Sequence, residues 1–433
     1  MAPGLTVRNR VMNQEQLLAG RRLAIIGAGP IGLEAAVRGQ RSGWDVTLIE
    51  QGSIGHHVTS WGHVRLFSPF GINASPWGRE ALTGQTLPSE DALLTGREFV
   101  DQYLKPLSQL PVLDGRVREH TRVISISRGD FWKSDLIGRP ERGDSPFRLL
   151  VQTAPESGDR TENRCEQIIE ADVVFDCSGT FSQHNWLGAG GIPCPGEQSN
   201  ADRIDYQIPD VLDADRDRFT GVTTLVVGSG YSAATSVVAL ASLARESAET
   251  HCLWLTRTDR TPPIPTIDDD QLTERAALTG AANELALADG DSCPIHWLKS
   301  SRIERIDRTP DDRLSVRVTC NCSESTASPG ETLIVDRIIA QVGYRPDRSL
   351  YEELQIHECY ATQGPIKLAA ALLGETSGDC LTQSAPGADT LRNPEPGFFI
   401  LGAKSYGRDS RFLLRIGIEQ IESAFSLLEG AAS

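Results

Sequence analysis

Short runs of apolar residues that end in glycine-rich turns are the dominant pattern in this chain. Residues 23–26 form such a run, which is typical of a strand buried on both faces of a parallel sheet. After the turn, the pattern predicts a helix over 33–42 and a second strand over 45–49. The order strand, turn, helix, strand predicts a β-α-β unit.

The same order returns in the second half of the chain. An apolar run over 222–227 enters another glycine-rich turn, and a predicted helix over 234–245 and a strand over 252–256 follow. Each half then contains an alternating strand with a polar turn, which predicts a hairpin, and an apolar strand that begins with Asp. These segments are 147–151, 155–166 and 172–176 in the first half, and 314–318, 323–331 and 336–343 in the second. Two copies of one order predict an internal repeat.

Four further segments complete the predicted elements. Residues 52–87 are rich in Gly, Pro, Ser, His and Trp, which predicts a long irregular loop that shapes a binding site. Residues 91–105 and 411–428 are predicted helices, and 397–402 is a predicted strand that runs into glycine.

The first glycine-rich turn, GAGPIG, has the spacing of a dinucleotide-binding turn. Gly27 permits the tight turn, Gly29 lets the backbone approach a pyrophosphate, and Gly32 lets helix and strand pack closely. The helix N-terminus offers free N–H groups to the phosphates. Glu50 ends the next strand, where a carboxylate accepts hydrogen bonds from ribose hydroxyls. The turn predicts a site for a dinucleotide without a 2′-phosphate, such as FAD.

The second turn, GSGYSA, has the same spacing through Gly228, Gly230 and Ala233. Its second strand ends not in an acidic residue but in Arg257, with Arg260 close by. Because cations suit a 2′-phosphate, this turn predicts NADPH rather than NADH, with solvated surface arginines as the alternative interpretation. A hydride donor and an electron-relaying flavin on one chain predict an oxidoreductase.

Charge and cysteine content narrow the classes further. A net charge of −16 repels nucleic acid and anionic membranes, so neither is an expected partner. Nine cysteines without a C-x-x-C pair are typical of a reducing cytoplasm. The N-terminal residues lack the apolar core of a signal peptide, and no apolar run reaches the roughly 18 residues that cross a bilayer. We therefore predict a cytoplasmic protein. No metal is predicted, since the adjacent His56 and His57 rarely converge on one ion.

In combination, these motifs resemble those of the two-dinucleotide-domain flavoproteins, which include thioredoxin reductases, bacillithiol disulfide reductase-like proteins and class B flavin monooxygenases. The resemblance covers about residues 20–430. It rests on GAGPIG with Glu50, CSGT in place of the family's Ala-Thr-Gly, GIPCPGE, GSGYSA, VGYRPD and GFFILG.

The resemblance implies an α/β protein with two Rossmann-like domains, each in a three-layer ββα arrangement, the NADPH domain being inserted in the FAD domain. The FAD-binding domain would comprise residues 1–207 and 346–433, and the NADPH-binding domain residues 208–345. The residues implied for FAD are Gly27, Gly29, Pro30, Ile31, Gly32, Glu50, Gln51, Trp61, Ser178, Gly179, Gly402 and Arg408. Those implied for NADPH are Gly228, Gly230, Tyr231, Ser232, Ala233, Arg257 and Arg260.

Catalytic candidates come from the segment 60–68, which stands where the family places residues beside the isoalloxazine ring. Trp61 would cover the ring, and His63 and Arg65 are the catalytic candidates, with loop packing as the alternative role. Arg408 belongs to a segment whose family equivalent places a helix N-terminus near the flavin pyrimidine, where its dipole would stabilise reduced flavin.

The departures from the family pattern favour a monooxygenase over a dithiol-dependent reductase. The C-x-x-C of thioredoxin reductases is missing, Gly402 is followed by Ala403 and Lys404 instead of Asp, and 181–186 only partly matches the Baeyer–Villiger signature. Without a dithiol, the electrons need another acceptor. The first hypothesis is therefore a flavin monooxygenase that oxygenates a small-molecule substrate through a hydroperoxyflavin.

Two alternatives stay open. One is an NAD(P)H-dependent reductase or dehydrogenase, for instance of a small-molecule disulfide, that uses an isolated cysteine such as Cys177 or Cys194. The other is a non-enzymatic nucleotide-sensing flavoprotein, which would need only one dinucleotide motif. A homodimer is the assembly we consider.

Overall fold

The computed structural model describes residues 20–154, 165–288, 293–320, 330–374 and 386–430. Parts of the two polar turns, 155–166 and 323–331, lie outside the described residues, as do residues 1–19. The strands are β1 (Arg22–Ile26), β2 (Asp45–Ile49), β3 (Val117–Arg118), β4 (Thr121–Arg128), β5 (Phe147–Thr153), β6 (Cys165–Ala171), β7 (Val173–Asp176), β8 (Ile204–Asp205), β9 (Thr223–Val227), β10 (His251–Leu255), β11 (Ile295–Leu298), β12 (Ser301–Arg308), β13 (Leu314–Cys320), β14 (Glu331–Val335), β15 (Arg337–Ala340) and β16 (Phe398–Ile400).

The α-helices are α1 (Pro30–Arg41), α2 (His56–Ser60), α3 (Phe70–Asn73), α4 (Pro76–Ala81), α5 (Gly96–Phe99), α6 (Lys105–Ser108), α7 (Arg216–Phe219), α8 (Tyr231–Glu246), α9 (Thr273–Leu287), α10 (Ile366–Gly374) and α11 (Leu414–Gly430). The longest of these α-helices are α8, α9 and α11. A π-helical turn, Val100–Leu104, joins α5 to α6.

The first parallel sheet has the strand order β16-β7-β1-β2-β3 and lies between two layers. Alternate residues of β1 point to opposite faces, as the pleat requires. Leu23 and Ile25 pack in a core with α1 and α11, whereas Ala24 and Ile26 pack against the antiparallel sheet β4-β5-β6. This is the predicted three-layer arrangement.

The second parallel sheet, β11-β10-β9-β15-β8, repeats that arrangement. Val226 of β9 packs in a core with α8, and the neighbouring Leu225 and Val227 pack with the antiparallel sheet β12-β13-β14. The repeated α/β architecture predicted from the sequence is therefore confirmed.

The strand β8 lies on the second sheet, although the sequence boundary after residue 207 assigns it to the first domain. Ile204 pairs in parallel with Ile338 of β15, and Leu187 and Cys194 belong to the second core. The chain just after Cys194 is fixed to β12, because the Ile306 N–H donates to the Pro195 carbonyl at 2.9 Å. We therefore propose that the second domain begins near residue 186.

Two short segments connect the domains and pair with each other. The Asn185 N–H donates to the Gly343 carbonyl, and the Arg345 N–H donates to the Gln183 carbonyl, both at 2.9 Å. His184 and Tyr344 form an antiparallel bridge between these bonds. The chain thus enters and leaves the second domain at one place.

Four predicted helix starts are wrong. Two helices begin three residues earlier than predicted, at Pro30 and Tyr231, inside the glycine-rich turns. The other two begin later. The helix predicted over 91–105 begins only at Gly96, because Thr95 and Glu98 form a reciprocal capping box that fixes the N-terminus there. The last helix begins at Leu414 rather than near Arg411. The Asp409 carboxylate instead accepts hydrogen bonds from the backbone N–H and guanidinium of Arg411 and so holds a turn before the helix.

Candidate functional site

The first glycine-rich turn has the close backbone packing that its sequence predicts. Gly27 has φ 95°, which favours glycine. A Cβ at Gly32 would lie 1.8 Å from the Gly27 carbonyl oxygen, so only glycine fits there. A Cβ at Gly29 would meet nothing within 4 Å. The turn is therefore tight at its first and third glycines and open at its second, where a pyrophosphate would approach.

Glu50 follows β2 and is buried beside this turn. One carboxylate oxygen accepts the Ala28 N–H and the other accepts the Gly52 N–H, each at 2.8 Å. Each oxygen has a second lone-pair site, so the side chain can still accept hydroxyl groups of a ribose. The backbone bonds fix the orientation that this contact requires.

A cavity of about 730 Å³ begins at this turn and extends to the second domain. Its size is within the range of cofactor and ligand sites. It brings together many of the residues predicted from the sequence. These are Gly27, Gly29, Pro30, Ile31, Glu50, Gln51, Trp61, Arg65, Ser178, Gly179, Tyr231, Ser232 and Gly402.

Eight other predicted residues do not line this cavity: Gly32, His63, Gly228, Gly230, Ala233, Arg257, Arg260 and Arg408. His63 is half-buried, and its Nε2 atom has no hydrogen-bond partner in the part of the chain that the structure describes. The Arg408 guanidinium donates to Gln363 at 2.9 Å and to Asn185 at 3.5 Å, so it lies against the connection between the domains. The predicted roles of His63 and Arg408 toward the flavin gain no support from these positions.

The second glycine-rich turn repeats the geometry of the first. A Cβ at Gly228 would lie 2.3 Å from the Gln341 carbonyl oxygen, whereas one at Gly230 would meet nothing within 4 Å. Ala233 is buried in the helix that follows. Arg257 and Arg260 are exposed just beyond the end of β10. That position is where a Rossmann unit recognises the adenosine ribose.

The two domains meet along the wall of the cavity. The ring of Phe67, from the first domain, lies edge-on to the ring of Tyr231 at a centroid distance of 5.4 Å. Phe412, Leu413 and Leu414, which lead into α11, line the wall as well. Its N-terminus therefore faces the cavity, where its dipole favours negative charge.

A buried ion pair behind the cavity wall escaped the sequence analysis. The Lys404 Nζ atom lies 2.6 Å from the Asp176 carboxylate, and both side chains are fully buried. Ser178, which lines the cavity, accepts a hydrogen bond from Lys404 at 3.0 Å and donates to Asp176 at 2.6 Å. The signal for this pair was the Ala403-Lys404 departure from the family pattern, but nothing in the sequence indicated its partner.

Asp347, in the VGYRPD segment, is a second cavity residue that the site prediction omitted. Burial alone would raise its pKa, but hydrogen bonds from Ser349 and the charges of Lys404 and Arg122 hold the pKa below its ordinary value. The carboxylate is therefore ionised at neutral pH and adds an acceptor to the cavity.

The two cysteines named for a disulfide reductase are poor nucleophiles. Burial and the charge of Asp176 raise the pKa of Cys177 well above its ordinary value. Burial and the adjacent Glu197 raise the pKa of Cys194 to about 12. Because the thiolate is the reactive form, neither residue is prepared for thiol exchange.

Within the described ranges, no three His, Cys, Asp or Glu side chains are grouped so that they could hold a metal ion. No helix in those ranges has both the length and the apolar character needed to cross a bilayer.

Comparisons with known proteins identify the fold. No protein-family model matches the chain, and no curated protein matches it. Among solved structures, it is similar to the bacillithiol disulfide reductase Bdr (YpdA) from Bacillus cereus, with a TM-score of 0.64, 16% identity and coverage of 95% of this chain and 99% of that one. It is also similar to the cadaverine monooxygenase DfoA from Erwinia amylovora, with a TM-score of 0.65, 14% identity and 94% of each chain covered.

A third similar structure is the thioredoxin reductase from T. acidophilum, with a TM-score of 0.56, 15% identity and coverage of 95% of this chain and all of that one. Two of these three structures are reductases and one is a monooxygenase. The chain therefore has the fold of the two-dinucleotide-domain flavoproteins.

Proposed function

We propose that this protein is an NADPH-dependent FAD oxidoreductase. The observation that carries the proposal is the single cavity that joins the first glycine-rich turn and Glu50 to Tyr231 and Ser232 of the second. A flavin held at the first turn and a nicotinamide held at the second would meet in this shared cavity, as hydride transfer requires.

The residues of the chain fit both dinucleotides. The open backbone at Gly29 would accommodate the FAD pyrophosphate, and Glu50 would accept the ribose hydroxyls. The equivalent opening at Gly230 would accommodate the NADPH pyrophosphate. FAD, when bound, would supply the chemistry, by accepting a hydride from NADPH and passing electrons to the final acceptor.

Within this class, we propose oxygen as the final acceptor and a small molecule as the substrate that is oxygenated. The high pKa values of Cys177 and Cys194 favour this over a reductase that uses either thiol. Similar structures include a monooxygenase that acts on cadaverine. A disulfide reductase is the second candidate, because other similar structures carry that activity.

The test begins with flavin-loaded protein, which is reduced with NADPH without oxygen. Oxygen is then added with a panel of small amines or disulfides, and flavin absorbance, hydrogen peroxide and product are followed. Monooxygenation predicts that one amine yields an oxygenated product and suppresses peroxide release. Turnover with a disulfide that continues without oxygen would overturn the monooxygenase assignment. A protein that binds no flavin would overturn the whole proposal.

The role of the two exposed arginines can be tested through the preference for NADPH over NADH. Replacing Arg257 and Arg260 with alanine should raise the KM for NADPH about tenfold, which corresponds to ~1.4 kcal/mol, and leave the KM for NADH unchanged. Steady-state kinetics with both dinucleotides measures this. Arg245→Ala is the matched control. It removes an exposed arginine from the C-terminal end of α8, whereas the glycine-rich turn lies at the N-terminal end of that helix. An equal effect on both dinucleotides would show that the arginines do not read the 2′-phosphate.

A further inference from the structure

Two histidines, His56 and His57, line the cavity, but His63, the histidine predicted to be catalytic, does not. His56 is exposed and His57 is half-buried. The His57 ring lies 5.9 Å from the ring of Phe181, another wall residue, at a tilt of 35°. The imidazole therefore packs near the Phe181 ring at the wall of the cavity.

The backbone fixes His57 relative to the first glycine-rich turn. The Gly55 N–H donates to the Ala28 carbonyl at 3.0 Å, so α2 is tied to the turn just before His57. The His57 carbonyl accepts the Ser60 hydroxyl at 2.7 Å. Phe181 packs in turn on Tyr344, with 4.7 Å between their ring centroids. His57 is thus anchored to the elements that would hold the flavin.

The His57 ring is available to a bound molecule. Neither ring nitrogen hydrogen-bonds to the protein within the described residues, and neither is among the enclosed atoms that lack a partner there. Both nitrogens therefore have accessible surface, on a side chain that lines the cavity. A neutral imidazole has one donor and one acceptor nitrogen, so it can take a proton on one side and release one from the other.

The electrostatic surroundings keep this imidazole neutral. Burial, and then the neighbouring His56, lower the pKa of His57 below its ordinary value of 6.5. The charged groups on α5, the helix packed against α2, are Arg97 and Glu98. Cys177, on the loop after β7, has a raised pKa and is uncharged at neutral pH.

The proposed reaction needs a proton in this cavity. Oxygenation converts NADPH, H⁺, O₂ and substrate into NADP⁺, water and oxygenated substrate, and disulfide reduction converts NADPH, H⁺ and disulfide into NADP⁺ and two thiols. In both cases NADPH is oxidised and one proton is consumed. We infer that His57 is the acid–base residue of the cavity and passes that proton from solvent to the bound reactants. This inference rests on the proposed function.

The first test is the pH dependence of the visible spectrum of bound, oxidised flavin between pH 5 and 8, which does not require turnover. The spectrum of the unchanged protein should shift below about pH 6.5, where His57 gains a proton. The shift should disappear in His57→Asn and persist in the matched variant His63→Asn. Flavin content is measured in each variant, so that loss of folding or of cofactor is recognised separately.

Turnover provides the second test. NADPH oxidation in His57→Asn should fall about 100-fold, as is typical when a general acid or base is lost, and the acid limb of its pH profile should vanish. Imidazole added to His57→Ala should restore part of the rate, because the vacated space adjoins the cavity.

The outcomes separate this inference from the proposed function. Flavin that binds normally but keeps the same pH dependence in His57→Asn would overturn the role of His57 alone. Loss of the pH dependence in His63→Asn instead would return the role to that residue. A protein without bound flavin would overturn the proposed function itself.

Discussion

Gly29→Ala is expected to weaken flavin retention without lowering the stability of the flavin-free protein. The backbone at Gly29 has φ −79° and ψ −171°, which alanine adopts readily. The added Cβ would meet no atom of the protein. It would instead occupy the space through which a pyrophosphate approaches the turn, and should weaken FAD binding at least tenfold, by ~1.4 kcal/mol or more.

The second turn supplies the matched variant. Gly230 is equally open and has an extended backbone, so Gly230→Ala should keep the flavin and lose reduction by NADPH. Flavin absorbance per mole of protein and the rate of anaerobic reduction measure the two effects, and urea unfolding of the flavin-free proteins measures stability. If Gly29→Ala retained flavin, or if both variants lost the same ligand, the assignment of the two turns would be wrong.

Lys404→Met should strongly lower the free energy of unfolding. The change leaves the Asp176 carboxylate buried without its cation, and breaking a fully buried pair costs about 3–5 kcal/mol. Urea unfolding of the flavin-free protein measures the loss. The double variant Lys404→Met/Asp176→Leu should recover part of it, because two apolar side chains leave no buried charge unpaired.

An exposed pair provides the control for this prediction. Lys367 lies 2.6 Å from Asp389, and both side chains are largely in contact with solvent. Lys367→Met should therefore cost less than about 1 kcal/mol. If the two lysine variants lost equal stability, burial would not set the strength of the Lys404 pair.

The sequence was most informative where local pattern and fold agree. The apolar runs of β1 and β9 are buried on both faces, and a strand of that kind has a recognisable pattern. The two glycine-rich turns could be located because a Cβ at Gly27, Gly32 or Gly228 would clash with backbone atoms, whereas Gly29 and Gly230 leave open space for a ligand.

One strand of each antiparallel sheet, β4 in the first and β12 in the second, was missed. In β12, charged residues alternate with buried Ile303 and Ile306, and a bulge interrupts the pairing between Ile303 and Arg305. A strand with so few apolar residues is difficult to separate from a loop by its sequence. In β4, the equivalent strand of the first antiparallel sheet, a bulge also interrupts the pairing, between Val123 and Ser125.

The chemistry of the cavity could be predicted only in part. Glu50 follows the glycine-rich motif at a fixed distance, so its position beside the first turn could be predicted from the sequence. The Lys404–Asp176 pair joins residues 228 positions apart, and the choice between His57 and His63 depends on how one loop turns. Such contacts are set by tertiary packing, which a single sequence does not reveal.

The paired connection between the domains has a consequence for how this protein could be taken apart. Asn185 and Gly343 are hydrogen-bonded neighbours, and β7 and β16, which flank the insertion in the chain, pair directly in the first sheet. A short turn joining these two positions would therefore excise the second domain without stretching the host sheet. We propose that the second domain can be exchanged in this way while the first glycine-rich turn stays in place.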